Sequence, residues 1–377
     1  MATNNSNTRK SGASAPKTKK RLTKKERQAR QKKRMILFAV EAVLIVVLAT
    51  ILFFVTKVDK MEATEIDESE IAFNEGIGNT EGESGEVPEA MKGYRNIALF
   101  GVDSRNGALG KGTLSDTILV ASINEDTKEI RLISIFRDTY LNLGNDTYNK
   151  ANNAYSKGGP KQAINMLNMN LDLNITDYVT VGFQGVVDTV DALGGVEIEV
   201  DEAEISHLNN YQIGTSEAIG RKNQYTKVTS TGMQTLDGLQ ATSYCRIRYT
   251  AGDDFKRAER QREVITAISQ KVKNASASQL NDIANKVFSQ TATSLELSEI
   301  LELLEGVQGY TIVASDGFPF EEMRGTGTVG RKGSCVIPVD LEANVVKLHK
   351  FLFDVDNYQP SDSVKEYSAK IHQDTGK

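Results

Sequence analysis

Charged side chains stand at the ends of three short apolar runs in this 377-residue chain. They are Asp103 and Arg105 after residues 97–102, Asp116 before residues 117–123, and Arg137 and Asp138 after residues 130–136. In open α/β sheets, ligands bind beyond the ends of strands, so charged residues there are candidates for a functional site. Each position taken alone also fits an ordinary polar loop after a strand.

A more discriminating pattern lies on one face of the helix predicted over residues 253–272. At about 100° per residue, one stripe of this helix is apolar in its C-terminal half and polar in its N-terminal half. The apolar members are Ile265, Ile268 and Val272, and the polar members are Asp254, Arg257 and Gln261. The side that faces the core therefore carries charges.

Arg246 and Arg248 precede this helix and are two residues apart, so in an extended segment both point to one face. A buried arginine needs a partner. One interpretation is an internal ion-pair network among Asp254, Arg246 and Arg257. The other is an anion held by several guanidinium groups, accompanied by carboxylates that bind a cation.

Several arginines combined with paired aspartates are typical of a site that handles phosphate. The planar, permanently charged guanidinium matches the geometry of phosphate oxygens. Two carboxylates such as Asp103 and Asp116 suffice to hold Mg²⁺, with Mn²⁺ as the alternative, when phosphates and water complete the octahedron. Phosphoryl transfer depends mostly on positioning and charge neutralisation, so a site without histidine is adequate.

Two other enzyme chemistries, catalysis by bound zinc and a histidine-based catalytic triad, are disfavoured. His207, His349 and His372 lie far apart, so they form no zinc-binding spacing and none stands near a nucleophile-elbow motif. The two cysteines, Cys245 and Cys335, could pair or remain free.

Alternating strand and helix patterns predict a three-layer α/β/α domain with a central mixed sheet over residues 93–357. The predicted strands are 96–102, 117–123, 130–136, 178–183, 197–200 and 310–313, with an extended piece at 246–248. The predicted helices are 159–167, 186–193, 236–243, 253–272, 279–288, 297–304 and 341–353. Residues 325–330 match the G-x-G-x-x-G pattern, but no helix follows them, which argues against nucleotide binding.

The N-terminal part differs in composition from the rest. Residues 1–34 carry 13 Lys/Arg and one acidic residue, a net charge of +12, whereas the remainder carries −17. Residues 35–56 begin with a 21-residue apolar run containing one charge, long enough to cross a bilayer. The pattern favours a single transmembrane helix, an uncleaved signal anchor, over a buried helix or a cleaved signal peptide.

The bias in basic residues predicts the topology of such an anchor. Residues 1–34 are expected to be a disordered cytoplasmic arm, which places the acidic bulk of the chain outside the cell membrane. The basic arm fits topology and anionic lipid better than nucleic acid. Residues 57–92 are predicted to be an acidic flexible linker, and residues 358–377 a loose polar tail.

The charged positions belong to motifs that resemble the LytR-CpsA-Psr family of bacterial cell-wall ligases. The matching motifs are Gly101-Val-Asp-Ser-Arg105, Ser115-Asp-Thr-Ile118, Ser134-Ile-Phe-Arg-Asp-Thr139, Asn149-Lys-Ala-Asn-Asn-Ala-Tyr155, Gln184-Gly-Val-Val-Asp188, Gly194-Gly-Val196, Leu236-Asp-Gly-Leu-Gln-Ala241, Arg246-Ile-Arg248 and Asp254-x-x-Arg257-x-x-Arg260-Gln261. They occur in the family's order and cover roughly residues 93–272, which makes chance similarity improbable.

The resemblance implies a membrane-anchored phosphotransferase. In that family, the phosphate of a glycopolymer is transferred from a polyprenyl-pyrophosphate carrier to a hydroxyl of peptidoglycan. By position, Asp103 and Asp116 would bind Mg²⁺, and the pyrophosphate would be held by arginines. The implied catalytic residues are Arg137, Asp254, Arg257 and Gln261, and the implied substrate-binding residues are Arg105, Arg137, Arg246, Arg248, Arg257 and Gln261. The polyprenyl tail would occupy an apolar channel under the sheet, beside the helix at 186–193.

Two departures from the family pattern stand out. Leu114 occupies a position where the family commonly has Arg, for which Arg105 or Lys111 is a substitute candidate, and Phe136 stands where Pro is common. Two other functions remain open: a non-catalytic sensor of lipid-linked precursors, and a polyprenyl pyrophosphate hydrolase that uses water as acceptor.

Overall fold

A computed structural model describes residues 62–63, 66–78, 87–103, 109–248, 250 and 252–377. Its centre is a seven-stranded sheet with the order β1-β10-β7-β2-β3-β4-β11. These strands are β1 Glu62–Ala63, β2 Tyr94–Val102, β3 Ser115–Asn124, β4 Glu129–Ile135, β7 Asp177–Gly182, β10 Thr291–Thr293 and β11 Thr311–Phe318. Parallel and antiparallel pairs alternate irregularly across the sheet, which confirms the predicted mixed sheet.

Helices and three small β-ribbons surround this sheet. The ribbons pair β5 Tyr140–Asn142 with β6 Tyr148–Lys150, β8 Val196–Val200 with β9 Gly232–Leu236, and β12 Arg324–Thr328 with β13 Ser334–Pro338. The helices are α1 Asn152–Leu171, α2 Phe183–Ala192, α3 Glu202–Ala218, α4 Gly238–Tyr244, α5 Asp253–Val272, α6 Ala277–Val287, α7 Leu297–Glu305, α8 Leu341–Phe353 and α9 Asp362–Thr375.

Both faces of the sheet are covered by helices. Since successive strand residues point to opposite sides, the strands β2, β3 and β4 contribute apolar side chains to both cores. Phe100, Val120 and Ile133 face the larger core, which also contains side chains of α1, α8 and α9. Leu119 and Leu132 face the other way, towards Ile265 on α5. The predicted helix–sheet–helix layering is confirmed.

Several predicted boundaries are wrong. Helical structure begins at Asn152 rather than Gly159, whose positive φ of 71° marks a kink inside α1 just before Pro160. The polar stretch after β8 contains the 17-residue α3. Its low amphipathicity hides it, although the Asp201–Glu204 capping box marks its start.

The predicted loose tail is also wrong. Residues 362–375 form α9, which buries Val364, Tyr367 and Ile371 in the main core. These apolar residues recur at helical spacing, a signal that the polar composition of the tail obscures. The compact domain therefore extends beyond residue 357.

Part of the predicted linker packs against the domain. Ile71 and Ile77 are buried, and the Asn74 side chain donates to the Met169 carbonyl at the end of α1. The basic arm at 1–34 and the predicted transmembrane segment at 35–56 lie outside the described residues. Within the described part of the chain, no helix combines the length and apolar character needed to cross a bilayer.

Candidate active site

A cavity of about 520 Å³ lies between the sheet and the helices α2 and α5. Most of its wall is apolar. The apolar lining comprises Leu99, Phe100, Val102, Leu119, Val179, Val181, Phe183, Val186, Val264, Ile265, Ile268 and Val287, and the polar lining includes Asp116, Arg137, Arg246, Arg248, Arg257 and Gln261. Four of the six residues of the stripe predicted on α5 line this cavity, the polar Arg257 and Gln261 and the apolar Ile265 and Ile268, whereas Asp254 and Val272 do not.

Strand register explains why the polar groups meet. The ends of β2, β4 and β7 and the start of β3 lie at one edge of the sheet. Gly101 pairs with Thr117 and Val102 with Ser115, so Asp116 is the extra residue of a β-bulge. A bulge re-aims a side chain, and here the Asp116 carboxylate meets the guanidinium that follows β4.

Arg137 is tied to two carboxylates. Its Nη1 donates to Asp116 Oδ1 at 2.5 Å, and its Nε lies 3.5 Å from Asp138 Oδ2. Asp138 is also paired with Lys150 at 3.0 Å. Burial by itself lowers the pKa of Arg137, but the neighbouring carboxylates outweigh burial and the pKa lies above its usual value.

The positive charge of Arg257 is compensated by fewer neighbouring carboxylates than that of Arg137. Its side chain is 7% exposed and has a single carboxylate partner within 4 Å among the described residues, Asp254 Oδ1 at 3.3 Å from Nη1. Burial lowers the pKa of Arg257, and the positive charge of Arg137 lowers it further. The buried Nε has no hydrogen-bond acceptor in the described part of the chain. A buried donor without an acceptor is costly, so this site favours an anion.

Asp254 bridges two of the arginines. Its Oδ1 lies 3.4 Å from Arg248 Nε and 3.3 Å from Arg257 Nη1. Of the internal network considered from the sequence, the Asp254–Arg257 pair is therefore present. No ion pair between Asp254 and Arg246 occurs in the described structure, where Arg248 takes that place.

Arg246 is held by groups that the sequence did not reveal. Its Nη1 donates to Thr215 Oγ1 at 2.7 Å, and its guanidinium carbon lies 4.6 Å from the Phe183 ring centre and 5.7 Å from that of Tyr211. These partners are 31 to 63 positions away along the chain, and nothing in their local pattern links them to an arginine.

A buried ion pair supports the segment that carries Arg246 and Arg248. Arg260 Nε donates to Glu204 Oε1 at 2.8 Å, and Arg260 Nη1 donates to the Ile247 carbonyl at 3.2 Å. Arg260 therefore holds the backbone at Ile247, between the two cavity arginines, by this hydrogen bond. Sequence reasoning placed Arg260 in a motif without a role and missed Glu204, although a buried arginine implies a carboxylate.

The remaining predicted site residues fall as follows. Gln261 lines the cavity, and its Nε2 lies 3.5 Å from the Cys245 carbonyl. Arg105 lies outside the described residues, and Lys111 is exposed. Leu114 is 46% exposed. Cys245 and Cys335 are free thiols, and burial raises the pKa of Cys245 to about 12.

Phe136 stands where proline is common in the family that this sequence resembles. Its ring packs edge-on against Phe255, with ring centres 4.7 Å apart, and its backbone N–H donates to the Phe318 carbonyl at 3.1 Å. A proline would lack this donor. The departure is therefore a change in packing beside Arg137 and Asp254 and leaves the charged groups in place.

The donor chemistry at the sheet edge fits a hard divalent cation. Asp103 follows β2 directly and Asp116 is the second residue of β3, so both offer carboxylate oxygens at the strand ends. In the described part of the chain, no group of three or more His, Cys, Asp or Glu side chains forms a metal cage. Mg²⁺ does not need one, because one or two carboxylates with phosphates and water complete its shell.

Two teichoic acid transferases are similar to this chain in sequence. The teichoic acid transferase TagU of Enterococcus faecalis, named polyisoprenyl-teichoic acid–peptidoglycan teichoic acid transferase, is 32% identical over 211 residues, 55% of this chain and 64% of that protein. The alignment thus covers less than two thirds of that relative. TagV of Bacillus subtilis, which carries the same enzyme name, is 29% identical over 74% of this chain and 68% of its own length.

The fold agrees with solved structures. The crystal structure of B. subtilis TagV superposes with a TM-score of 0.55 at 26% identity, covering 71% of this chain and 99% of that one. The sequence model of the LytR_cpsA_psr family matches residues 48–347, well over half of the chain. The chain therefore belongs to the LytR_cpsA_psr family.

Proposed function

We propose that this chain is a membrane-anchored phosphotransferase that moves a glycopolymer from a polyprenyl-pyrophosphate carrier to a hydroxyl of peptidoglycan. One observation carries the proposal: four arginines line a cavity whose remaining wall is mostly apolar. An anionic headgroup attached to a hydrocarbon chain is complementary to both parts at once. The enzyme names of the TagU and TagV relatives supply the polymer class and the acceptor.

The charges of the site match a pyrophosphate. Among the described residues, the four cavity arginines Arg137, Arg246, Arg248 and Arg257 together with Lys150 carry five positive charges, against the three carboxylates of Asp116, Asp138 and Asp254 that pair with members of this group. The net of +2 balances the two negative charges of a pyrophosphate diester. Charge neutralisation and in-line positioning are the main requirements of phosphoryl transfer.

The reaction exchanges one P–O bond for another. The acceptor hydroxyl oxygen attacks the phosphorus that carries the glycopolymer, and the bond from that phosphorus to the bridging oxygen breaks. Polyprenyl phosphate leaves with the bridging oxygen, and the hydroxyl proton passes to solvent. Arg137 and Arg257 stabilise the charge that develops on the phosphate oxygens, while Arg246, Arg248 and Gln261 hold the headgroup.

Mg²⁺ belongs to the proposal as well. Asp103 and Asp116 would hold it, and it would supply charge neutralisation at the phosphates when bound. The apolar run at 35–56 supports anchoring in the cell membrane, with the catalytic domain outside and the N-terminus in the cytoplasm.

Mass spectrometry of an organic extract tests the substrate class. Full-length protein purified from bacterial membranes in detergent should carry polyprenyl phosphate or pyrophosphate in near-stoichiometric amount. The variant Arg257→Met should lose it, whereas the exposed Arg331→Ala should retain it. Equal lipid content in all three proteins would contradict the assigned site.

Turnover tests the reaction and its alternatives. With a lipid-linked glycan, Mg²⁺ and peptidoglycan, the wild-type protein should form a glycan–peptidoglycan phosphodiester, and Arg137→Ala should lose activity by two or more orders of magnitude. Release of polyprenyl phosphate without acceptor labelling would indicate a hydrolase. Binding without any turnover would indicate a sensor.

A further inference from the structure

The guanidinium of Arg246 is braced by side chains from two helices. Thr215 and Tyr211 come from α3, and Phe183 opens α2. The rings of Phe183 and Tyr211 form part of the cavity wall, and the guanidinium lies against both. Cation–π contacts restrain the height of the guanidinium above a ring but leave it free to turn about the ring normal.

Thr215 supplies a directional contact to Arg246. Its hydroxyl donates to the Tyr211 carbonyl at 2.8 Å, one helical turn earlier, so its single proton is committed. The lone pairs of Oγ1 then accept from Arg246 Nη1 at 2.7 Å and from Ser243 Oγ at 3.2 Å. Thr215 is fully buried, and it is not among the residues that line the cavity.

The bond to the Tyr211 carbonyl polarises the Thr215 hydroxyl, whose only charged contact among the described residues is with the cavity arginine Arg246. An intrahelical bond from a threonine hydroxyl to the carbonyl four residues earlier is common and has no functional meaning by itself. Here, however, the bond turns the oxygen into an obligatory acceptor. A hydrogen bond to a charged donor is about twice as strong as a neutral one.

We propose that Thr215 is a positioning residue that fixes the plane of the Arg246 guanidinium towards the anionic headgroup. The inference rests on the proposed function, because Arg246 must meet a phosphate for its orientation to matter. Thr215 does not line the cavity, so it acts through Arg246.

A pair of conservative variants tests the role. Thr215→Val keeps the shape of the side chain and removes the acceptor, whereas Thr215→Ser keeps the acceptor. With full-length protein in detergent, we expect Thr215→Val to weaken binding of farnesyl pyrophosphate, a soluble probe of the headgroup, by roughly ten- to hundredfold. Thr215→Ser should stay within about threefold of wild type.

A double-mutant cycle with Arg246→Met separates positioning from general damage. If Thr215 acts through Arg246, Thr215→Val should weaken binding of farnesyl pyrophosphate by less than twofold in the Arg246→Met background. Thr375→Val is the matched control, because Thr375 makes the same bond to a carbonyl four residues earlier, in α9. It should leave the affinity unchanged.

The outcomes separate this inference from the proposed function. Wild-type affinity in Thr215→Val, or equal losses with and without Arg246, would overturn the positioning role while leaving the function intact. Protein that binds farnesyl pyrophosphate in a Thr215-dependent way but transfers no glycan would support the role and overturn the function. If the wild-type protein does not bind the probe, both are wrong.

Discussion

The buried pair between Glu204 and Arg260 offers a sharp test of how the site is built. The two side chains are 4% and 1% exposed, and their atoms Oε1 and Nε are 2.8 Å apart. Glu204→Gln removes the charge and keeps the side-chain shape. It also keeps an acceptor for the Asp201 N–H, to which Glu204 Oε2 now bonds at 3.0 Å, because Gln serves equally well in a capping box.

The expected loss of stability follows from the burial. Leaving the Arg260 charge without its carboxylate costs about 3–5 kcal/mol. For the roughly 300 residues that the structure describes, an unfolding entropy of about 2.1 cal/mol/K per residue gives about 0.6 kcal/mol/K. The predicted decrease in Tm is therefore about 5–8 °C.

Differential scanning calorimetry of the full-length protein in detergent measures this shift. Glu199→Gln is the matched control, because Glu199 is an exposed residue of β8 and its neutralisation changes the net charge equally. It should move Tm by less than about 1 °C. Replacing both partners, as Glu204→Met with Arg260→Met, should recover part of the loss, since no unpaired charge remains.

Glu204→Gln should also lose activity at temperatures well below Tm. Arg260 Nη1 donates to the Ile247 carbonyl, between Arg246 and Arg248, so a displaced Arg260 releases the segment that carries them. A Tm within 2 °C of wild type would refute the energetic reasoning. A large decrease in Tm with unchanged headgroup affinity would refute the link from Arg260 to the site.

Three further predictions follow from burial and charge. Arg257→Met should raise the Tm of lipid-free protein by roughly 1–2 °C while it abolishes headgroup binding, because it removes a buried charge repelled by Arg137; a lower Tm in calorimetry would contradict this. Burial lowers the pKa of His349 to about 4, so the unfolded chain binds the proton more readily, and stability should fall as the pH drops from about 6.5 to 4. The pH dependence of urea unfolding should flatten in this range in His349→Gln, and an unchanged slope would exclude His349 as its source. Truncation after Gln359 removes α9 with three buried side chains, which should lower the free energy of unfolding by about 5 kcal/mol. The remaining domain should then become sensitive to limited proteolysis. Undiminished resistance to the protease would show that α9 is dispensable.

Much of the fold follows from local pattern. The helices at 253–272 and 341–353 begin and end where their periodicity predicts. The mixed sheet follows from short apolar runs that alternate with helices. Prediction fails where apolar residues are diluted by polar ones, as in α3 and α9, because only packing against the domain reveals which face is buried.

The sequence by itself determined the types and order of the charged groups. Arg137, Arg246, Arg248 and Arg257 are recognisable because permanent charges beside apolar segments need partners, and the stripe on α5 aims two of the polar groups at the core. The division of charge between the basic arm and the acidic remainder is likewise a property of composition.

Tertiary structure alone decided which groups meet. The bulge that aims Asp116 at Arg137 depends on the register between β2 and β3, and residues far apart in sequence brace Arg246 through Thr215 and Phe183. Such contacts carry no local signal, since a threonine or phenylalanine looks the same in any helix. Side-chain identity sets what a group can bind, but strand register and helix packing set its distance from its partners, and electrostatic interaction energies fall off with that distance.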